Sequence, residues 1–207
     1  MALKNIEDLG EMQMDVLKEI GNIGSGNAAS ALSTMLGCVT DISVPSVKLL
    51  DFGDAVNFLG GPENIAIGML VNLTGDISGM MLYVLQHSCA SMMTGAIFGS
   101  NIEDINNMNE MEQSFIGEVG NIMSASYINA IASLTGLTID ISVPNMCVDM
   151  VGAILSVPAV QFAQVGNKVL FIDDSFVIGG CEVKSNMILV PEMESLERLF
   201  DRLGVGI

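Results

Sequence analysis

The stretch that decides the fold is "GNIGSGNAASALSTMLGCVTDISVPSV", residues 21–47, which returns 99 positions later as "GNIMSASYINAIASLTGLTIDISVPNM", residues 120–146. The two copies align without a gap and share the whole of "DISVP". Two copies are too few for a solenoid, which needs several stacked repeats, and they indicate an intramolecular pseudo-dimer. We therefore expect a single domain built of two repeats, about residues 1–103 and 104–207.

Each copy begins with a long helix. The apolar pattern predicts helices over roughly residues 11–36 and 110–135. Gly37 and Gly136 follow these helices and can adopt the left-handed conformation that ends a helix. A β-branched strand that ends near "DISVP" comes next in each copy. The repeated unit is thus expected to start as a helix followed by a strand.

The remainder of each half is expected to supply most of the strands. In the first half "NIAIGMLVNL" and "GMMLYVL", joined by "TGDIS", predict an antiparallel hairpin, and a helix follows around 87–98. In the second half we expect strands at "KVLFID", "FVIGGCEV" and "MILVP" and a final helix at "PEMESLERLF". Segments 52–60 and 149–164 are expected to be short helices or irregular. These elements predict an α/β (α+β) fold with helices packed on a mostly antiparallel sheet shared by both halves.

The charge of the chain restricts its partners. The formal net charge is −17, with only 7 Lys and Arg residues, which argues against nucleic acid and anionic membrane surfaces. An acidic field also repels free anionic metabolites, so a protein partner is favoured over a small phosphorylated substrate. The chain contains one His and four dispersed cysteines, so no metal site is expected. Because there is no continuous apolar run and no signal-peptide core, we expect a cytoplasmic protein without membrane insertion.

Three polar residues of the first long helix fall on one narrow stripe. At 100° per residue, Glu19 lies roughly 40° and Asn22 roughly −20° from Asp15. The second helix repeats the stripe as Ser114, Glu118 and Asn121. Both stripes are expected to face water, because a wide apolar arc centred roughly 110° from Asp15 should face the core. In the two helices that arc is expected to contain Val16, Ile20 and Ile23, and Phe115, Val119 and Ile122, respectively.

The glycines of the first helix need an explanation, because each costs roughly 1 kcal/mol relative to Ala in a helix. Gly21 and its counterpart Gly120 lie off the stripe, where a missing Cβ permits close packing. Gly26 lies on the polar face, and its counterpart is Ala125. A small residue there leaves space for another molecule, so we interpret the stripe as a docking face.

The stripes and prolines also have purely structural interpretations. A Glu-x-x-Asn pair on an exposed helix is usually a solvated surface, and duplication by itself preserves some identity between copies. Pro45 and Pro144 fix the backbone and end or edge a strand.

The patterns Asp15-x3-Glu19-x2-Asn22-x22-Pro45 and Ser114-x3-Glu118-x2-Asn121-x22-Pro144 resemble the signature of the CheC/CheX/FliY family of bacterial and archaeal chemotaxis phosphatases. The resemblance extends over essentially the whole chain, and the duplicated layout is nearest to the CheC branch of that family. It implies hydrolysis of the phosphoaspartate of CheY-P, the response regulator that controls flagellar rotation. Carried over, Glu19 and Asn22 form one catalytic site, and Glu118 and Asn121 form the other.

The resemblance also implies partners and cofactors. The receptor deamidase CheD is expected as a second partner, with the chain a monomer or a one-to-one heterodimer with CheD. No cofactor is expected on this chain, because the regulator holds its own Mg²⁺.

Phosphoaspartate chemistry can be assisted with this sparse set of side chains. An Asn carboxamide can orient an attacking water, and a Glu can pair with a cation of the regulator. We expect Asp15, Ser114, Gly26 and Ala125 to contact the partner around these residues. Two alternatives remain: a non-catalytic adaptor that sequesters CheD or the regulator, and a component associated with the flagellar switch. A conventional small-substrate hydrolase is disfavoured, because no Ser/His/Asp set, Cys/His pair or P-loop is present.

Overall fold

An antiparallel sheet with helices on both faces forms the molecule. The computed structural model describes residues 5–43, 45–161, 168–178 and 181–205. The described residues form six α-helices: α1 (Glu11–Leu36), α2 (Phe52–Phe58), α3 (His87–Phe98), α4 (Glu110–Thr135), α5 (Val151–Gln161) and α6 (Met193–Arg202). They also form eight strands: β1 (Thr40–Ile42), β2 (Ser46–Asp51), β3 (Ile65–Gly75), β4 (Gly79–Leu85), β5 (Ile139–Ile141), β6 (Asn145–Met150), β7 (Lys168–Ile178) and β8 (Cys181–Pro191). Short 3₁₀ turns at Ile6–Asp8 and Ile105–Asn107 precede the two long helices.

The order of elements is the same in both halves, which confirms the duplication. Each half runs helix, two short strands, helix, two long strands, helix. The helices α1 and α4 start 99 residues apart, at Glu11 and Glu110, and β1 and β5 keep that offset. The second half therefore repeats the first more closely than its strand pattern suggested.

The two halves exchange their edge strands. Both β1 and β2 pair with β7, whereas β5 and β6 pair with β3. The central pairing joins β4 to β8, with Leu82 opposite Ile188, so the strand order is β1/β2–β7–β8–β4–β3–β5/β6. Each repeat thus supplies an edge of the sheet to the long strands of the other.

The sheet is covered unequally on its two faces, and β4 shows how the cores divide. Its residues Met81, Tyr83 and Leu85 belong to the larger core, which also contains buried residues of α1, α3, α4 and α6. The alternate residues Met80, Leu82 and Val84 belong to a smaller core, which also contains buried residues of α2 and α5. Period-2 alternation explains this division, since successive side chains of a strand point to opposite faces. The two long helices consequently lie on the same face of the sheet.

Both long helices end as predicted. Gly37 and Gly136 have φ angles of 64° and 69°, in the left-handed region that glycine adopts without strain. The start of α4 carries a capping box, in which the Asn109 side chain accepts hydrogen bonds from the N–H groups of Met111 and Glu112. The two glycines thus fix where α1 and α4 end, and the capping box fixes where α4 begins.

Some predicted boundaries need correction. The segment "FVIGGCEV" is not one strand: Phe176–Ile178 ends β7 and Cys181 starts β8, while residues 179–180 lie outside the described residues. The apolar and β-branched residues on both sides of residues 179–180 favoured the prediction of a single strand. Segments 52–60 and 149–164 contain α2 and α5, with 162–164 outside the described residues. None of the helices in the described ranges is long and apolar enough to cross a membrane.

Candidate functional site on the paired long helices

The stripe on α1 is open to solvent. Asp15, Glu19 and Asn22 are all exposed, so the predicted accessibility of the Asn22 amide agrees with the structure. Lys18 Nζ lies 2.8 Å from Asp15 Oδ1, and both side chains are at least half exposed. An ion pair this exposed contributes little to stability. It does, however, occupy the Asp15 carboxylate at the edge of the stripe.

The stripe on α4 has the same geometry in a different setting. Ser114 and Glu118 are exposed and Asn121 is partly exposed. Gly117 stands where α1 has Lys18, and a Cβ placed on Gly117 would meet no atom within 4 Å. The α4 stripe therefore lacks the ion pair of the α1 stripe and has more free space beside Ser114.

The buried face of α1 lies opposite its stripe, which corrects the predicted arc. Leu17, Ile20, Ala28 and Leu32 are buried, at roughly 140–260° from Asp15. Of the residues expected on the arc, Ile20 is buried, but Val16 and Ile23 are only half-buried and flank the polar stripe. The second helix shows the same shift, because Val119 is buried while Phe115 and Ile122 are half-buried.

Small residues explain why the arc was misplaced. Gly21, Gly24, Ser25, Ala28 and Ala29 are all buried in α1. These residues add little hydrophobicity, so the large apolar residues dominated the pattern and placed the predicted buried face too far to one side. Close helix packing requires small residues, however, and it is this packing that decides which face is buried.

The two long helices touch at Gly24. A Cβ on Gly24 would lie 2.7 Å from Tyr127 Cδ1 and 3.1 Å from Tyr127 Cα. Only a residue without a side chain allows α4 to approach this closely. The contact fixes the position of the two site-bearing helices relative to one another.

The other glycines of the sequence prediction divide by role. A Cβ on Gly120 would lie 2.5 Å from Met69 Sδ, in line with the expected close packing. A Cβ on Gly21 would lie 3.6 Å from side-chain atoms of Pro45 and Val47, which is ordinary van der Waals contact. A Cβ on Gly26 would meet nothing within 4 Å, so the polar face is open there.

The remaining predicted residues differ in exposure. Ala125, the counterpart of Gly26, is half-buried. Pro45 is buried against α1, whereas Pro144 is half-buried beyond β5. Both prolines thus occupy structural positions next to β-strands.

A buried polar cluster beneath the helices was missed in the sequence. Asp174 of β7 is 2% exposed and accepts hydrogen bonds from the Ser25 hydroxyl, at 3.1 Å, and from the Tyr127 hydroxyl. The Ser25 and Tyr127 oxygens also lie within hydrogen-bonding distance of each other. Because each hydroxyl has one proton, all three contacts can be hydrogen bonds only when the Asp174 carboxyl is itself protonated. Burial raises the pKa of Asp174 to about 6, against a smaller lowering by these hydrogen bonds. The available signal was an acidic pair, "DD", inside the otherwise apolar strand "KVLFIDDSFVI".

The stripes offer separate sites. One groove is formed by α1 alone, and a second lies between the start of α4 and the end of α3; their linings share no residue. Each stripe presents one carboxylate and one carboxamide to a docking partner. Within the described ranges, no group of three or more His, Cys, Asp or Glu side chains is placed to hold a metal ion.

Comparison with known proteins agrees with this architecture. The model of the CheC-like family matches residues 12–49 and 111–146, segments that contain both stripes and both prolines. The chain is 35% identical over 201 residues to the CheY-P phosphatase CheC of Bacillus subtilis, covering 95% of this chain and 96% of that protein.

Two further proteins share sequence or fold. The flagellar motor switch phosphatase FliY of Bacillus subtilis is 30% identical over 145 residues, which is 70% of this chain and 38% of that protein. The crystal structure of Thermotoga maritima FliY superposes with a TM-score of 0.75 at 23% identity, covering 95% of this chain and 98% of that chain. With the duplicated fold and the paired stripes, these similarities show that the chain belongs to the CheC-like family.

Proposed function

We propose that this protein hydrolyses the phosphoaspartate of a CheY-type response regulator. Two relatives that are named phosphatases, one of them similar over almost the whole chain, support this activity. The observation that carries the proposal is the repeated Glu/Asn pair on α1 and α4, whose four side chains all reach solvent. A pair so placed can enter a neighbouring protein's active site.

The asparagines act by positioning water. A phosphoaspartate already has an activated leaving group, and phosphoryl transfer through a loose transition state chiefly requires an attacking water held in line. The carboxamides of Asn22 and Asn121 each have an acceptor oxygen and two N–H donors with which to hold that water. Positioning of this kind contributes on the order of several kcal/mol to lowering the barrier.

The glutamates fix the docking register. Glu19 and Glu118 each lie one turn before the asparagine of their stripe, on the same exposed face. A carboxylate there pairs with a cation at the regulator's active site, through a charge-assisted hydrogen bond. Asp15 and Ser114, and the small residues Gly26 and Ala125, contact the partner at the flanks. The Mg²⁺ of the reaction belongs to the regulator.

CheD binding stays a prediction from the family resemblance, and the cytoplasmic location expected from the sequence also stays a prediction. No residues are assigned to a CheD contact. The rival function is an adaptor that sequesters CheD or the regulator without turnover. Two complete Glu/Asn pairs, both accessible, favour catalysis over that rival.

Turnover distinguishes the phosphatase from the adaptor. The protein is mixed at one tenth of the concentration of a phosphorylated CheY-type regulator, and phosphate release is followed. We expect the phosphorylated pool to be cleared in many turnovers per protein molecule. Clearance that stalls after about one equivalent per site, with no further acceleration, would support sequestration instead.

A further inference from the structure

The groove beside the α4 stripe has an apolar wall. It consists of Phe98, at the end of α3, and Met111 and Phe115 of α4, and we call these three residues the Phe98 wall. Phe98 is 37% exposed and Met111 is 64% exposed. The Phe98 and Phe115 rings meet edge to face, with centroids 5.5 Å apart and an interplanar angle of 76°. This arrangement orders both rings while leaving apolar surface open to solvent.

The wall is continuous with the candidate catalytic stripe. Ser114 and Glu118 line the same groove as the Phe98 wall. Asn121 follows Glu118 by three residues, which is about one helical turn. Any protein that brings a phosphoryl group to Asn121 therefore lies next to this groove.

Among the described residues, the α1 stripe has no aromatic counterpart of this wall. Met12 corresponds to Met111, but Val16 stands in place of Phe115. The groove at Met12 and Glu19 is lined by residues of α1, and a neighbouring groove at Asp15 and Lys18 adds Leu9 and Val47, none of them aromatic. The Asp15–Lys18 ion pair adds charge where α4 has Ser114 and Gly117. The duplicated sites thus differ in their surroundings although their Glu/Asn pairs are the same.

We propose that the Phe98 wall binds an apolar side chain of the phosphorylated regulator, next to its phosphoaspartate pocket, and makes the α4 site the tighter of the two. This inference rests on the proposed function. The regulator is the occupant because the groove shares Ser114 and Glu118 with the stripe on which its phosphoryl group docks. The acidic flank at Glu110 and the net charge of −17 disfavour a free anionic ligand in the same groove.

Ground-state binding is the step that the wall affects. Phe98 lies on α3, outside the two helices that carry the Glu/Asn pairs, so it contacts the docked protein and not the reacting atoms. Truncating an aromatic anchor in an interface weakens binding about tenfold. Its loss should therefore raise KM and leave kcat nearly unchanged.

Variants with only one active site show whether the Phe98 wall affects the KM of the α4 site alone. Asn22→Ala leaves only the α4 site, and Asn121→Ala leaves only the α1 site. With a phosphorylated CheY-type regulator as substrate, Phe98→Ala should raise KM about tenfold in the first background and less than twofold in the second. Met111→Gln, a change at an exposed position that the fold tolerates, should raise KM severalfold in the first background only.

A matched control lies next to Phe98. Ile97 is 38% exposed but does not line the groove, so Ile97→Ala should leave KM unchanged in both backgrounds. The inference is overturned if Phe98→Ala and Met111→Gln leave KM unchanged, change it equally in both backgrounds, or lower kcat alone. Failure of the proposed function looks different, because the parent protein itself would then not accelerate phosphate release beyond about one equivalent per site.

Discussion

At the scale of single residues, the fold raises the pKa of the Asp174 carboxyl group by burying it. Its carboxyl group is buried beneath α1 and α4, where it accepts hydrogen bonds from one residue of each helix. A buried carboxylate is costly unless it is hydrogen-bonded, and here the Ser25 and Tyr127 hydroxyls supply those bonds. The cluster links β7 to both site-bearing helices.

The ionisation of Asp174 should make stability depend on pH. Its pKa is raised from 3.8 to about 6 by burial, so the folded state keeps a proton that the unfolded chain releases. The free energy of unfolding should consequently fall as pH rises from about 4 to 6, by about 3 kcal/mol at most, and then stay level. Asp174→Asn should remove this component.

Urea denaturation of parent and Asp174→Asn at several pH values measures the difference. Using the difference cancels the contribution of the other acidic groups. Equal pH dependence in the two proteins would show that Asp174 ionises in the folded state as it does in the unfolded chain.

At the scale of elements, α1 packs closely on α4 at Gly24. Replacing this glycine should therefore change the free energy of unfolding differently from replacing a glycine of α1 that faces open space. Gly24→Ala should lower the free energy of unfolding by about 1–2 kcal/mol, because overpacking against the Tyr127 backbone exceeds the gain in helix propensity. Gly26→Ala is the matched control, since a Cβ there meets open space and should raise stability by about 0.5–1 kcal/mol. Denaturant unfolding of both variants gives the comparison. A stabilising Gly24→Ala would contradict the close contact.

Several elements could be predicted because local signals determine them. The bounds of α1 and α4 followed from apolar periodicity and from Gly37 and Gly136, and the β3–β4 hairpin followed from its short polar turn. The exposure of the stripes also followed, since the polar side of an amphipathic helix faces water. The orientation of the buried face of α1 could not be predicted, because glycine, serine and alanine make up much of that face.

At the scale of the whole molecule, the exchange of edge strands joins the two repeats. Neither repeat contains the β-ladder partners of its own short strands, because β1 and β2 pair with β7 while β5 and β6 pair with β3. Such long-range pairing leaves no local signal, so the sequence predicted a shared sheet but not its strand order. The partners of Asp174 could not be predicted for the same reason, since Ser25, Tyr127 and Asp174 belong to three elements distant in sequence.

Strand exchange should make the repeats depend on each other. We propose that residues 1–103 and 104–207 fold as a single domain, so that either repeat expressed alone should show no cooperative unfolding transition. Circular dichroism of the two fragments, with the intact chain as reference, checks this. A fragment that unfolds cooperatively as a monomer would show that a repeat is an independent domain.

The account of function depends on two amide side chains, and their removal tests it most directly. The measurement is the rate of phosphate release from a saturating phosphorylated CheY-type regulator, with the parent protein and with the Asn22→Ala, Asn121→Ala double variant. Asn27→Ala, which changes an exposed asparagine of α1 roughly 120° around the helix from Asp15 and so outside the stripe, serves as the control. We predict that the double variant returns phosphate release to the regulator's own rate while the Asn27→Ala control matches the parent. A double variant as fast as the parent would contradict the proposed role of Asn22 and Asn121.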